Sequence, residues 1–262
     1  MNAELRAGLI LTGFAAGISL LSLVYTPRFY NEMEPAARFS PPGIGGLLGT
    51  DNFGRDVFSR IMTGGRYTLI TALCTVLGGT VFGGALGLIA GYSGGLWAEI
   101  IMRLIDALNS FPSLLLALVM VSVLENGPFS LIAALLIIFI PGYTRIMRSG
   151  VLQYKERDFI KAVELMGASH FRIVFVHILP NTAPSLLAAA ALGFSNAILA
   201  EATMSYLGLG IQPPLPSWGR MLSESRNFLF SAPWCVLAPG FMIMIAVTGF
   251  HYLGEGIRKK YI

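Results

Sequence analysis

An all-α membrane protein with six transmembrane helices is the fold class that the sequence predicts. Apolar residues make up 55% of the 262 residues and charged residues only 12%, and the mean hydropathy is +0.69. A typical soluble domain carries about twice that fraction of charge. Crossing a hydrocarbon core of ~30 Å takes about 20 apolar residues. Six stretches are long enough, at residues 8–26, 67–92, 99–124, 129–149, 183–208 and 233–254.

Lysines and arginines predict which side of the membrane each loop faces. All the lysines fall on one side of the six-span arrangement: Lys155, Lys161, Lys259 and Lys260. Positive residues accumulate in cytoplasmic loops, so this side is predicted to be cytoplasmic, with both termini inside. The net charge of +4 therefore reflects orientation in the membrane rather than binding to nucleic acid. The first apolar run is longer than the core of a signal peptide and lacks a clear cleavage site, which favours an uncleaved first span.

Spans two to four contain features that predict how they pack or bend. The second span has glycine at every fourth position, Gly79, Gly83, Gly87 and Gly91. Such a face favours close helix packing, with a surface that slides between transport states as the alternative.

Charged residues and prolines mark the third and fourth spans. Arg103 and Asp106 are predicted to pair near the cytoplasmic end of the third span, with a pore or gate role for Asp106 as the alternative. Pro112 is predicted to kink that span, and Pro141-Gly142 to break or bend the fourth.

A charged insert, Lys155 to Asn181, separates the fourth and fifth spans. Residues 157–166 repeat apolar side chains at three- and four-residue spacing, which predicts a helix with one apolar face. Gly167 suits the left-handed end of that helix, and Ser169 can cap the next one. The prediction is helix, tight turn and helix, lying at the membrane surface. Two interpretations are open: a helix that rests on lipid, and a docking surface for a soluble partner.

Two further sites lie toward the outer side. In the stretch GTDNFGRDVFSR, residues 49–60, Asp51 is expected to cap a surface helix that begins near Phe53, with Asp56 and Arg60 paired. Glu201 lies ~25 Å along a helix from Pro184, near the outer end of the fifth span. A buried acid is costly there, so Glu201 is either a pore or gate residue or a hydrogen-bond partner of the backbone or of another subunit's arginine.

The insert resembles the cytoplasmic "EAA" loop of the inner-membrane permeases of ATP-binding-cassette (ABC) importers. That loop runs Glu-Ala-Ala, three residues, Gly, and then an apolar stretch that ends in Leu-Pro. Lys161 stands where the family usually has Glu, and Val163 where it has Ala, so Glu164 is the acid left to face an ATPase. The resemblance implies an ATPase-coupling loop that includes Ala162, Val163, Glu164, Gly167, Ala168, Leu179 and Pro180.

Residues 49–60 and the stretch NAILAEATMSYLGLGIQPPLPSWGRML are similar to the second, C-type, subunit of dipeptide, oligopeptide and nickel permeases. The similarity extends from Gly49 to about Arg258 and implies the type I ABC importer permease fold. Residues 1–66 would form the first helix and an external segment, and residues 67–262 the permease domain. The external residues that carry the subfamily motif are Asp51, Gly54, Arg55 and Asp56.

The resemblance also implies an assembly in the bacterial inner membrane. Its members would be a homologous permease that completes a heterodimer, two ABC ATPases and an external solute-binding protein, all in contact with lipid. This chain would bind no cofactor, because ATP and Mg²⁺ belong to the ATPases; the sequence has no phosphate-binding Gly-x-x-x-x-Gly-Lys motif. Its histidines lack the spacing of a metal site, and it is not expected to be an enzyme.

An ion-coupled secondary transporter is the rival interpretation. It predicts titratable residues at mid-membrane and inverted repeats with broken helices. Only Asp106 and Glu201 qualify, and both lie near span ends. The solute is open between peptides and nickel chelates.

Overall fold

The structure is a computed structural model that describes residues 3–124 and 127–261. Its long helices are connected by the segment 22–56, by the insert and by a loop that begins at residue 207. The helices are α1 Ala3–Leu21, α2 Val57–Ser93, α3 Gly95–Asn109, α4 Ser113–Leu124, α5 Pro128–Lys155, α6 Asp158–Leu165, α7 His170–Tyr206, α8 Trp218–Ser225 and α9 Trp234–Tyr261. Residues Ile173–Ile178 of α7 form a π-helical segment, and Pro35–Ala37 and Arg226–Phe228 are short 3₁₀ turns. This all-helical architecture confirms the predicted fold class.

Within residues 3–124 and 127–261, five helices are long and apolar enough to cross a membrane, and α3 with α4 makes a sixth span if the pair is counted as one. The two helices of that pair meet at 92°, which is a sharper bend than the predicted kink. Pro112 lies in the break, where its ring disfavours a helical conformation of the preceding residue.

Helix α2 begins at Val57, ten residues before the predicted second span. The Asp56 carboxylate caps it by accepting a hydrogen bond from the backbone N–H of Ser59 at 2.8 Å. The predicted boundary between residues 66 and 67 therefore falls inside one continuous helix. The external segment leads directly into a membrane span.

The glycine face of α2 packs against α5. A Cβ atom at Gly83 would lie 2.7 Å from the Ile140 carbonyl oxygen, and one at Gly91 would lie 2.7 Å from Cβ of Val151. Close helix packing, as the glycine spacing predicts, is confirmed; the sliding alternative stays a prediction. Helix α5 runs unbroken through Pro141, so of the two predicted outcomes, a break or a bend, the break is wrong and the bend stays a prediction. Tertiary packing outweighs local helix propensity at this proline.

The main buried cluster packs α8 against α2, α7 and α9. Trp218 of α8 is completely buried in it, and its indole N–H donates to the Ile61 carbonyl at 3.0 Å. A second cluster holds the insert: Ile160 of α6 packs with Met147 and Val151 of α5 and Ile178 of α7. These two clusters fix the external segment and the insert on the membrane helices.

Candidate functional site

The insert folds as a short helix and a tight turn, as the sequence predicts. Helix α6 ends at Leu165, and Gly167 follows with φ +81°. The Ser169 hydroxyl accepts a hydrogen bond from the backbone N–H of Arg172 at 3.4 Å, which caps the next helix. That second helix does not lie separately at the surface as predicted. It is the start of α7 and runs straight into the fifth span. The insert therefore continues directly into a membrane helix, with no irregular segment between the two.

One face of the insert is anchored, and the other is bare. Ile160 is 3% exposed and holds α6 on the membrane helices. Around the turn, Leu165 is 89% exposed, Met166 77% and Phe171 71%. Large apolar side chains grouped beside charged ones on a protruding turn mark an interaction surface.

The residues assigned to ATPase coupling are spread over both sides of the turn. Ala162, Glu164 and Gly167 are exposed, and Val163 and Ala168 are half-buried. Lys161, which replaces the acid of the family pattern, lies 4.0 Å from the Asp158 carboxylate on the same exposed face. The other two members of the set, Leu179 and Pro180, lie inside α7, directly after the π-helical segment.

Side chains tie the insert to the C-terminal end of α2. The Tyr92 hydroxyl and His170 Nδ1 are hydrogen-bonded at 2.7 Å. The Lys155 ammonium donates to the Tyr92 carbonyl oxygen at 2.6 Å. These contacts join the ends of α2, α5 and α7 around one tyrosine, at the base of the turn.

The external motif is buried, whereas the sequence predicted a helix on the outer surface. Asp51 caps a turn: its carboxylate accepts hydrogen bonds from the backbone N–H groups of Phe53 and Arg55, at 2.8 and 3.0 Å. It also pairs with the Arg55 guanidinium at 2.7 Å. Gly54 has φ +77° and lies against the Glu34 carbonyl, so a side chain there would clash. The turn comes before α2 and is not a helix that begins near Phe53.

The predicted pair between Asp56 and Arg60 is wrong. Asp56 is the cap of α2, and Arg60 donates instead to Glu224 of α8 at 2.8 Å. Glu224 also accepts from Arg55 at 3.0 Å and from Arg220 at 3.2 Å. No local sequence pattern indicates a role for Glu224, because Arg55 and Arg60, which donate to it, lie more than 160 residues away in the chain.

Glu201 and Asp106 lie in opposite environments. Glu201 is completely buried; it accepts a hydrogen bond from the Ser205 hydroxyl at 2.6 Å, and its second oxygen has no partner among the described residues. This contact is neither to backbone nor to an arginine. Asp106 is exposed and pairs with Arg145 of α5 at 2.7 Å. The predicted partner, Arg103, pairs with Glu99 at 2.9 Å. The pore or gate role of either acid stays a prediction.

A groove that the sequence did not predict opens between α5 and α7. Its volume is about 450 Å³, and its walls are mostly apolar. The lining residues with polar side chains are Asn109, Tyr143 and Asn196. An asparagine at the middle of an apolar span is a signal that was available in the sequence.

Comparison with known proteins assigns the chain. Residues 83–261 match the family described as "Binding-protein-dependent transport system inner membrane component". The chain belongs to this family. Its members are permease subunits of ABC importers, which agrees with the resemblance of the insert to the EAA loop; the permease is a transport subunit and not an enzyme.

The permease resembles several relatives along most of its length. It is 42% identical to the dipeptide transport system permease protein DppC of Alkalihalophilus pseudofirmus, over 95% of this chain and 82% of the relative. Identity to DppC of Haemophilus influenzae is 40%, over 98% and 89%. Identity to the glutathione transport system permease protein GsiD of Pectobacterium atrosepticum is 39%, over 83% and 72%.

Solved structures of ABC importers share the fold. An inward-facing form of the MetNI methionine ABC transporter matches with a TM-score of 0.62 and 18% identity, over 75% of this chain and 93% of that chain. An amino acid ABC transporter crystallised with histidines matches with a TM-score of 0.58 and 17% identity, over 74% and 90%. These likenesses confirm the type I ABC importer permease fold.

Proposed function

We propose that this permease imports short peptides as one half of a permease heterodimer, together with two ABC ATPases and an external solute-binding protein. The names of its relatives, which include two dipeptide permeases and a glutathione permease, favour peptides over nickel chelates. The permease holds no nucleotide itself, and ATP with Mg²⁺ is bound and hydrolysed on the ATPases.

The bare turn of the insert is the observation that carries this proposal. Leu165, Met166 and Phe171 present apolar surface outside the membrane spans, on a loop whose opposite face is anchored by Ile160. A groove on a soluble ATPase that covers these side chains would remove their apolar surface from water, which stabilises the complex. Glu164, exposed on α6, supplies the acidic contact that Lys161 does not.

Continuity of the insert with α7 explains how motion reaches the membrane. The turn at Gly167 leads into one helix that runs from His170 to Tyr206. When nucleotide binding closes the ATPases, a displacement of the turn moves α7 as a lever, and the Tyr92–His170 bond carries part of it to α2. Closure opens the path outward, and hydrolysis returns it inward.

The proposed coupling to cytosolic ATPases also implies an orientation in the membrane. ATP is cytosolic, so the insert faces the cytoplasm, and an even number of spans then places both termini there as well. The lysines on this side agree with the positive-inside rule. A cysteine in place of Ser169, probed in intact cells with a membrane-impermeant thiol reagent, should stay unlabelled until the cells are opened.

Uptake by the reconstituted complex tests the function. Proteoliposomes that contain both permeases and both ATPases, with binding protein and labelled dipeptide outside and ATP inside, should accumulate the peptide. Uptake should cease without ATP or without the ATPases, and it should persist when proton and sodium gradients are collapsed. Uptake that follows an ion gradient without ATP would contradict the proposal, as would nickel uptake without peptide uptake.

A further inference from the structure

The groove between α5 and α7 contains an asparagine amide that no described residue satisfies. Asn196 lies at the midpoint of the predicted fifth span, is exposed, and makes no hydrogen bond to any described residue. Its neighbour Ser195, by contrast, turns inward and donates to the Val247 carbonyl at 3.0 Å. A primary amide in hydrocarbon costs several kcal/mol when it has no partner. Asn196 therefore faces a polar ligand, a polar path or another subunit.

Tyr143 of α5 lines the same groove, but its hydroxyl is sealed within the helix packing. Tyr143 is 4% exposed, and Gly193 of α7 leaves space for its hydroxyl, since a Cβ atom there would collide with it. The hydroxyl oxygen is buried, with the Thr80 hydroxyl of α2 beside it. Tyr143 therefore shapes the wall of the groove, and Asn196 is the exposed polar side chain that α7 presents in it.

The chemistry of the groove selects one class of ligand. Its volume of about 450 Å³ and its apolar walls with a few polar groups are typical of small-molecule sites. None of the described residues that line it carries a carboxylate, an imidazole or a thiol, the groups that bind transition metals. An asparagine amide both donates and accepts, and this matches the C=O and N–H of a peptide bond.

We propose that Asn196 binds the peptide group of the solute during its passage. This assignment rests on the proposed import of peptides and adds the residue that holds the cargo. The rival occupants are a helix of the partner permease and a lipid chain. A lipid chain offers no hydrogen bond, and a partner helix would make Asn196 a packing residue that is indifferent to the solute.

Measuring the uptake of two dipeptides by the original permease and by one variant distinguishes the solute from these rival occupants. One cargo is a dipeptide, and the other is the same dipeptide methylated on its peptide nitrogen, which removes only the N–H donor. The ratio of their uptake rates is measured in the full reconstituted complex with the original permease and with Asn196→Leu. Comparing the two ratios cancels the preference of the binding protein. Leu187→Ala is the matched control, because Leu187 is exposed on the opposite side of α7 and lies outside the groove.

We expect the preference for the unmethylated dipeptide to fall roughly fivefold in Asn196→Leu, the effect of one neutral hydrogen bond, and to be unchanged in Leu187→Ala. Equal loss of both cargoes in Asn196→Leu would overturn the proposal and assign Asn196 to the permease interface. If that variant does not assemble, a photoreactive dipeptide applied to the unaltered complex decides: labelling of residues 138–146 or 189–196 supports the site, and labelling only elsewhere overturns it. If the unaltered complex imports no peptide, the proposed function fails first and the inference falls with it.

Discussion

Arg60, on the first turn of a membrane helix, donates a hydrogen bond from Nη2 to Oε2 of Glu224 at 2.8 Å, 164 residues further along the chain. Glu224 accepts from Arg55 and Arg220 as well, so a single carboxylate receives three guanidinium groups. Asp51 is the second acid of the cluster, 2.7 Å from Arg55 and 3.6 Å from Arg60. The cluster fastens the external motif to α8 and makes both part of one rigid outer layer.

The first prediction concerns Glu224→Ala. It removes the hydrogen-bond acceptor of the buried Arg60 and one of the two carboxylates that pair with Arg55, and breaking a buried pair in this way costs about 3–5 kcal/mol. The melting temperature of the purified permease in detergent should fall clearly. Glu34→Ala is the control, because Glu34 pairs with Arg28 at 2.9 Å on the exposed surface and such pairs contribute little. Equal melting temperatures for the two variants would show that the cluster does not hold the outer layer.

The second prediction concerns the turn of the insert. Gly167 has φ +81°, and its N–H donates to the Glu164 carbonyl at 2.9 Å. Proline cannot adopt that φ and has no N–H, so Gly167→Pro should distort the turn at a cost of about 3 kcal/mol or more. We expect the complex to insert and hydrolyse ATP while peptide uptake per ATP falls sharply.

Gly208→Pro is the matched control for the turn. Gly208 also has a positive φ, +86°, and its N–H donates to the Ser205 carbonyl at 3.1 Å, but it lies at the opposite end of α7 from the insert. The local strain is comparable, so ATP hydrolysis should stay coupled to whatever uptake remains. If peptide uptake per ATP is unchanged in Gly167→Pro, the insert does not transmit the motion of the ATPases to the membrane helices.

Sequence reasoning succeeded where the deciding interactions are local. The cap at Ser169, the left-handed Gly167 and the bend near Pro112 depend on residues a few positions apart, and each is present. The glycine ladder of α2 was interpretable because a face of small residues has one common use in membranes, close packing.

Sequence reasoning failed where the partner of a charged residue comes from a different helix. Arg103 and Asp106 satisfy helical spacing, yet Asp106 pairs with Arg145 of α5 because the packed helices bring that guanidinium nearer. Asp56 and Arg60 failed in the same way, since α8 supplies Glu224. Long-range pairs depend on the tertiary arrangement, which spacing along one helix does not reveal.

The third prediction tests the contact between α2 and α5. At Gly83 any side chain would meet the backbone of α5, because a Cβ atom would lie 2.7 Å from the Ile140 carbonyl oxygen. Gly83→Leu should therefore separate the helices and destabilise the permease by about 1–3 kcal/mol or more. Gly17→Leu in α1 is the control, since no atom lies within 4 Å of a Cβ atom placed there. Thermal unfolding of both variants measures the difference, and equal stability would contradict close packing.

The fourth prediction concerns Glu201. Its carboxylate is sealed inside the permease and accepts from the Ser205 hydroxyl, which in turn accepts from the backbone N–H of Ile211 at 3.1 Å. Glu201→Leu breaks this chain of hydrogen bonds and should destabilise the permease by about 1–3 kcal/mol. Because no path reaches the carboxylate in this conformation, we expect the amount of folded permease to fall while uptake per folded molecule stays constant. Glu99→Leu, which removes an exposed partner of Arg103, should change neither quantity. Lost uptake with unchanged unfolding in Glu201→Leu would instead mean that the acid becomes accessible in another transport state and acts there as a gate.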